Sequence, residues 1–177
     1  MKKFFINVWL IVIGFIIYFL QANFFSWFTI NGIKPNLFVI YILFIGLFGN
    51  KSMAIIYGAV WGIFLDFLYG EKVGINLAGF VLIAVIAILF NKNFSKDSRL
   101  TIMFMVFGST VIFEVLSYII RHIAYSGNVE VGHFIGILLV ECIYNIMLTI
   151  VIYPAMQKFG YYIENTYKGN RILTRYF

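Results

Sequence analysis

The clearest apolar stretch of the chain, residues 4–25, reads FFINVWLIVIGFIIYFLQANFF, with Asn7 and Gln21 near its two ends. As a helix rising 1.5 Å per residue, it is long enough to cross about 30 Å of hydrocarbon. Lys2 and Lys3 precede it as in a signal peptide, but the run exceeds a typical signal-peptide core and no A-x-A site follows. We therefore expect an uncleaved first transmembrane helix.

The composition extends this interpretation to the whole chain. Of its 177 residues, 63% are hydrophobic and 11% are charged, and the mean hydropathy is +0.97. A soluble domain carries about 25% charged residues, so this chain cannot cover a water-facing surface. Soluble globular and disordered proteins are excluded, which leaves a multi-span membrane protein of one domain. One Cys (Cys142) and two His also exclude a disulfide framework and a zinc site with several Cys and His ligands.

Turn signals divide the chain into six apolar stretches, which predict an all-α, six-helix transmembrane bundle. The predicted spans are residues 4–25, 35–49, 53–69, 74–90, 100–120 and 133–157, followed by a basic tail at 158–177. The breaks contain Asn31-Gly32, Gly49-Asn50, residues 70–74, residues 91–99 and Ser126-Gly127-Asn128. The second stretch, at about 15 residues, is short of the roughly 20 needed. We expect it to be shielded by neighbours, to thin the bilayer locally or to be re-entrant.

The distribution of positive charge predicts the orientation. If the N-terminus lies inside, ten cations fall inside: Lys2, Lys3, Lys51, Lys92, Lys96, Arg99, Lys158, Lys168, Arg171 and Arg175. Three fall outside: Lys34, Lys72 and Arg121. This asymmetry follows the positive-inside rule and places both termini in the cytoplasm. It accounts for the net charge of +6 without a nucleic-acid partner. The basic tail is expected to lie on anionic lipid headgroups, with polypeptide binding as the less favoured alternative.

Motifs for cofactors and catalysis are absent from the sequence. There is no Walker-type or dinucleotide-binding glycine pattern, and no nucleophile with a His and an acid can be assembled. His122 and His133 lie near the outer end, where solvated side chains are commoner than metal ligands. We therefore expect no metal, no cofactor and no enzymatic activity.

The third span carries a stripe of small residues. Ala54, Gly58 and Gly62 recur at a spacing of four, which allows another helix to approach closely. Packing within this chain's own bundle is the favoured interpretation, and contact with a partner's transmembrane helix is the alternative. Asp66 follows Gly62 by four residues and precedes a turn, so its carboxylate is expected to accept hydrogen bonds from that turn. A contact with a neighbouring cation is the alternative.

Two carboxyl groups lie deep in the fifth and sixth spans. Counting from the outer helix ends places Glu114 and Glu141 at similar depths, on consecutive helices. Arg121 shares a helix face with Glu114, and Asn145 shares one with Glu141. These four residues predict a buried polar cluster, with either a structural or a functional role.

Three sequence elements between residues 34 and 89 resemble the rod shape-determining protein MreD family. They are the opening Lys34-Pro35-Asn36-Leu37, the pattern Gly58-x-x-x-Gly62-x-x-x-Asp66, and the turn Gly74-Ile75-Asn76. Asn36 stands where an acidic residue is more often expected. The overall length, the basic N-terminus, about six spans and the basic C-terminus agree with the same family.

The resemblance implies a multi-pass protein of the bacterial inner membrane that is a non-enzymatic scaffold or regulator of the cell-elongation complex. This complex builds lateral peptidoglycan and maintains cell shape. The implied direct partner is MreC, which has one membrane helix, and the indirect partners are MreB, RodA and its transpeptidase. The family is also similar in fold to substrate-binding subunits of energy-coupling-factor vitamin transporters. Two alternatives follow: a vitamin-binding transport subunit with its ligand near Glu114 and Glu141, and, less favoured, an intramembrane enzyme using this pair.

Overall fold

The computed structural model describes residues 1–69, 74–93, 96–125 and 131–168, and these ranges are almost entirely helical. Six helices follow one another: α1 (Lys2–Trp27), α2 (Leu37–Phe48), α3 (Lys51–Tyr69), α4 (Ile75–Asn93), α5 (Arg99–Tyr125) and α6 (Val131–Lys168). No β-strand occurs in the described residues, only an isolated bridge between Ile30 and Ile33. Asn31 and Gly32 form the two-residue turn between Ile30 and Ile33, and both have the positive φ that such a turn requires. The predicted all-α membrane fold is confirmed.

The helices differ in length. Of those in the described ranges, α1, α3, α5 and α6 are long and apolar enough to cross a membrane, whereas α2 and α4 are shorter apolar helices. The count of six crossings and the side on which each terminus lies therefore stay predictions.

The short helix α2 forms the centre of the bundle. Every residue from Leu37 to Phe48 is buried, and the other five helices all contact it. At 1.5 Å per residue its 12 residues span about 18 Å. A helix that is apolar on all sides is expected where no side faces a polar solvent. Neighbouring helices therefore shield this short span, whereas local thinning of the bilayer and a re-entrant path stay predictions.

The last helix is longer than the sequence pattern predicts. Helix α6 has 38 residues and continues through Pro154, whereas the predicted span ends at residue 157. Aromatic packing supports the continuation: the rings of Phe159 and Phe44 stack at 6.4 Å, and Gly160 packs against the ring of Phe48. The first part of the predicted basic tail is therefore helical, up to Lys168. The segment 169–177 lies outside the described residues.

Three of the predicted inside cations, Lys3, Lys51 and Lys96, lie at one end of the bundle, which we call the basic end. Tyr167, near the end of α6, donates a hydrogen bond to the carbonyl of Lys3 at the start of α1. Lys96 approaches the carbonyl of Leu47, near the end of α2. Lys51 begins α3 directly after α2. The other end, which carries Asn36, Asp66 and Gly74, we call the opposite end.

Candidate functional site

The small-residue stripe of α3 packs against α4 of the same chain. A Cβ placed on Gly62 would lie 2.5 Å from the Cα of Leu77, and one on Gly58 would lie 2.9 Å from the carbonyl oxygen of Phe80. These contacts are with backbone atoms, which cannot turn aside as a flexible side chain can. Ala54, one step further toward the basic end, is fully buried. The two glycines thus set the close approach of α3 and α4.

Asp66 caps the start of α4 at the opposite end. Its Oδ2 accepts hydrogen bonds from the backbone N–H of Gly74 at 2.8 Å and of Leu77 at 3.2 Å. Its Oδ1 accepts from the backbone and the side-chain Nδ2 of Asn76, both at 2.9 Å. The first N–H groups of a helix lack partners within it, so a buried carboxylate stabilises them strongly. Gly74 has φ of +119°, a conformation that favours glycine.

These contacts bring together five of the seven residues singled out in the sequence motif. Gly58, Gly62, Asp66, Gly74 and Asn76 all lie at the α3–α4 junction. Lys34 and Pro35, the other two motif residues, lie directly before the cap of α2, and Pro35 is buried. The turn between Tyr69 and Gly74 lies outside the described residues.

The buried start of α2 has its own set of acceptors. The N–H of Asn36 donates to Oδ1 of Asn145 on α6 at 2.9 Å, and the N–H of Leu37 donates to Oε1 of Gln21 on α1 at 3.0 Å. The side chain of Asn36 caps the helix by accepting from the N–H of Val39. An amide oxygen performs this capping as a carboxylate does, without placing a charge there. Gln21 lies in a π-helical turn, Leu20–Phe24, within α1.

One comparison with known proteins finds the same family that the sequence motif resembles. The family model described as rod shape-determining protein MreD matches residues 3–163. The chain belongs to the MreD family. The family gives the chain a role in rod shape determination, and it is a family of structural shape-determining proteins. Neither the curated proteins nor the solved structures contain a match to the chain, so the expected fold similarity to energy-coupling-factor subunits stays a prediction.

The two carboxyl groups predicted in the membrane lie near one another between α5 and α6 of this MreD-family chain. Glu114 is half-buried and Glu141 is buried, whereas Arg121 is exposed and so is not a buried member of the predicted cluster. Oε1 of Glu141, a side chain only 6% exposed, has no hydrogen-bond partner among the described residues.

Hydroxyl groups extend this cluster along α5. Thr110 accepts a hydrogen bond from Nδ2 of Asn145 at 3.0 Å and donates to the carbonyl of Val106. Asn145 therefore links Thr110 of α5 to the start of α2. The hydroxyls of Ser117 and Tyr118 are buried without a partner in the described part of the chain. The sequence analysis did not place Gln21, Thr110 or Ser117 in this cluster, because a single polar residue in an apolar helix gives no sign of its partner.

A second polar cluster closes the basic end. Lys96, between α4 and α5, forms an ion pair with Glu164 of α6 at 2.6 Å, and both side chains are mostly buried. The ammonium of Lys96 also lies 3.4 Å from the carbonyl of Leu47, where it complements the negative end of the α2 dipole. Asp97 accepts hydrogen bonds from Tyr153 and Tyr161 of α6. This cluster ties the extended part of α6 to the centre of the bundle.

Metal binding has no support in the described residues. No group of three or more His, Cys, Asp or Glu side chains in these ranges is arranged to hold a metal ion. His122 and His133 are both exposed, and Cys142 is buried as a free thiol.

Two grooves flank helix α1. The groove between α1 and α3 has a volume of about 560 Å³, and the one between α1 and α6 has about 370 Å³. Few hydrogen bonds join helix α1 to the other helices of the bundle. Tyr41 donates to the carbonyl of Leu10 at 2.6 Å, and Tyr57 donates to that of Asn7 at 3.0 Å. The ring of Trp61 covers Gly14, where a Cβ would lie only 2.0 Å from that ring.

Proposed function

We propose that this chain is a non-enzymatic scaffold or regulator of the cell-elongation complex in the bacterial inner membrane. In this role it binds an MreC-like protein with a single membrane helix, and through that protein it acts with MreB, RodA and the transpeptidase of RodA. The observation that carries the proposal is the family match over residues 3–163, which gives a role in rod shape. The buried polar side chains add support, because the contacts described above use them to fix helices to one another.

The surface for such a partner is a lipid-facing side of the bundle. The glycine stripe of α3 is covered by α4, so it is closed to a partner's helix. Large apolar side chains point outward from three helices, as Val12 on α1, Val115 on α5 and Ile143 on α6 illustrate. A single-span partner with a large outer domain can reach any of these faces from within the bilayer.

The first experiment combines depletion with a gentle detergent pull-down of the tagged chain. Depletion is expected to give rounded cells with delocalised wall synthesis, and the pull-down is expected to recover a single-span protein with a large outer domain. Unchanged shape and wall labelling after depletion contradict the proposal. Recovery of an ATPase pair with a bound vitamin instead supports the transport alternative, which no structural observation favours, since both grooves described lie beside α1.

Single Trp substitutions identify the partner-binding face. Val12→Trp, Val115→Trp and Ile143→Trp each add bulk at an outward-facing position without entering the core. Loss of the partner in one variant, with unchanged elution on size exclusion, assigns the contact to that helix. Gly62→Leu is unsuitable for this purpose, because its side chain would collide with the backbone of α4 and unfold the chain.

A further inference from the structure

The groove between α1 and α3 is apolar along its length and polar at one end. Ile11 and Phe15 of α1 face Ile56 and Val60 of α3 across it, and Trp61 lies between the two helices. At the basic end the lining changes to Asn7, Asn50, Ser52, Tyr57 and Tyr167. The groove therefore has the polarity of an amphiphile with one apolar chain and one polar head.

The length and lining of the groove suit an acyl chain. From Asn50 to Phe64 the lining follows α3 for about 21 Å at 1.5 Å per residue. Apart from its polar end, the lining is made of large apolar side chains, against which an extended hydrocarbon chain can lie.

The charge at the polar end selects the headgroup. Lys3 lies on the same face of α1 as Asn7, and its ammonium is 5.5 Å from the centre of the Tyr167 ring. Lys51 and Ser52 open α3, where the helix dipole is positive. Oδ1 of Asn50 accepts from the N–H of Met53 at 2.7 Å, which leaves the N–H groups of Lys51 and Ser52 without an acceptor within the helix. No acidic residue lines the groove among the described residues. At this end, Glu164 is paired with Lys96, and Asp97 accepts from Tyr161.

We propose that the α1–α3 groove binds one phospholipid with an anionic headgroup, its phosphate at Lys3 and Ser52 and one acyl chain along Ile11, Phe15 and Val60. This site is separate from the lipid contact predicted for the basic tail, and it does not depend on the partner proposed above. The lipid would hold α1 against α3, between which the described polar contacts are few.

Native mass spectrometry of the full chain, released from nanodiscs with equal phosphatidylglycerol and phosphatidylcholine of matched acyl chains, tests the proposal. One phosphatidylglycerol per chain is expected to survive release in preference to phosphatidylcholine. Lys3→Gln is expected to lower this preference about fivefold, the contribution of one cation near an anionic surface. Lys2→Gln is the matched control, because this substitution removes the same charge. By helix periodicity, Lys2 lies on the side of α1 opposite the groove-lining residues Asn7 and Ile11.

A second pair of variants tests the acyl-chain seat. Val60→Trp fills the groove from a position that is 57% exposed, and it is expected to abolish retention of both lipids. Ile63→Trp adds the same bulk on the lipid-facing side of α3 outside the groove lining, and retention is expected to be unchanged. Equal retention of the two lipids by the native chain overturns the proposal. So does undiminished phosphatidylglycerol in Val60→Trp, or a co-purified protein that displaces the lipid from the native chain.

Discussion

Oδ1 of Asp66 accepts two hydrogen bonds from Asn76, one from its backbone N–H and one from its side-chain Nδ2, both at 2.9 Å. Asp66 ends the glycine pattern of α3, and Asn76 stands in the first turn of α4. The two sequence motifs that carry the family resemblance are thus the two halves of one contact. It joins the far end of α3 to the start of α4, next to the close approach at Gly62.

Replacing Asp66 is expected to destabilise the bundle in a graded way. Asp66→Ala leaves the N–H groups of Gly74, Asn76 and Leu77 without their acceptor in a buried site, at a cost of about 1–3 kcal/mol for each unsatisfied group. Asp66→Asn retains one acceptor oxygen, so its melting temperature is expected to lie between those of native and Asp66→Ala. Thermal melts in detergent followed by size exclusion measure the order, and a native-like melt of Asp66→Ala contradicts the capping role.

The glycines offer a matched pair of substitutions. Gly62→Ala places a Cβ 2.5 Å from the Cα of Leu77, and the helices must separate, which is expected to cost about 1–3 kcal/mol. Gly108→Ala on α5 meets no atom within 4 Å, so the better helix propensity of Ala is expected to stabilise the chain by up to about 1 kcal/mol. Opposite shifts in melting temperature are expected. Shifts of the same sign would mean that backbone entropy, rather than packing, decides the effect at Gly62.

The sequence predicts the helices well because their signals are local. Apolar runs interrupted by turn signals such as Asn31-Gly32 mark α1 to α5 to within about five residues, although α2 and α4 are shorter than the other helices. The similar depth of Glu114 and Glu141 and the role of the pair stay predictions. The hydrogen bonds that Asp66 accepts from the backbone N–H groups of Gly74 and Asn76 are also local contacts, across ten residues or fewer.

What the sequence does not reveal depends on distant contacts. The N–H of Asn36 meets Asn145, 109 residues later, and no pattern in either helix indicates this partner. The predicted sixth span ends at residue 157, three residues after Pro154, whereas α6 continues through this proline to Lys168. The aromatic contacts of Phe159 and Gly160 with α2 outweigh the hydrogen bond that proline removes, and these contacts exist only in the folded bundle.

Two substitutions of Glu141 are expected to have different effects. Glu141→Gln keeps the size and shape of this buried side chain without a charge, so its melting temperature is expected to stay near the native value. Glu141→Ala removes most of the buried side chain and leaves a cavity, which is expected to cost about 1–3 kcal/mol. The same thermal melts separate the two. If Glu141→Gln melts as low as Glu141→Ala, the negative charge of Glu141 is required for stability.

The ion pair between Lys96 and Glu164 is expected to stabilise the packing of the extended part of α6 against the bundle. Both side chains are mostly buried, at 15% and 12% exposure, so loss of one partner leaves the other charge poorly solvated. Lys96→Ala is expected to cost more than Glu164→Ala, because Lys96 also lies against the carbonyl of Leu47 at the end of α2. Each single variant is expected to lose about 1–3 kcal/mol of the free energy of unfolding.

A double-mutant cycle of Lys96→Ala and Glu164→Ala isolates the pair from these other contacts. Because the two groups touch, the combined loss is expected to fall short of the sum of the single losses by about 1–2 kcal/mol. The matched control is Lys158→Ala with Glu164→Ala, since Lys158 is an exposed cation of the same helix, and those losses are expected to add. Proteolysis at 158–168 provides a local readout, because this segment is expected to become accessible in Glu164→Ala before the bundle melts. Additive losses in the Lys96 cycle would assign the anchoring of α6 to its other contacts, which are the aromatic packing on Phe44 and Phe48 and the hydrogen bonds of Tyr161 and Tyr167.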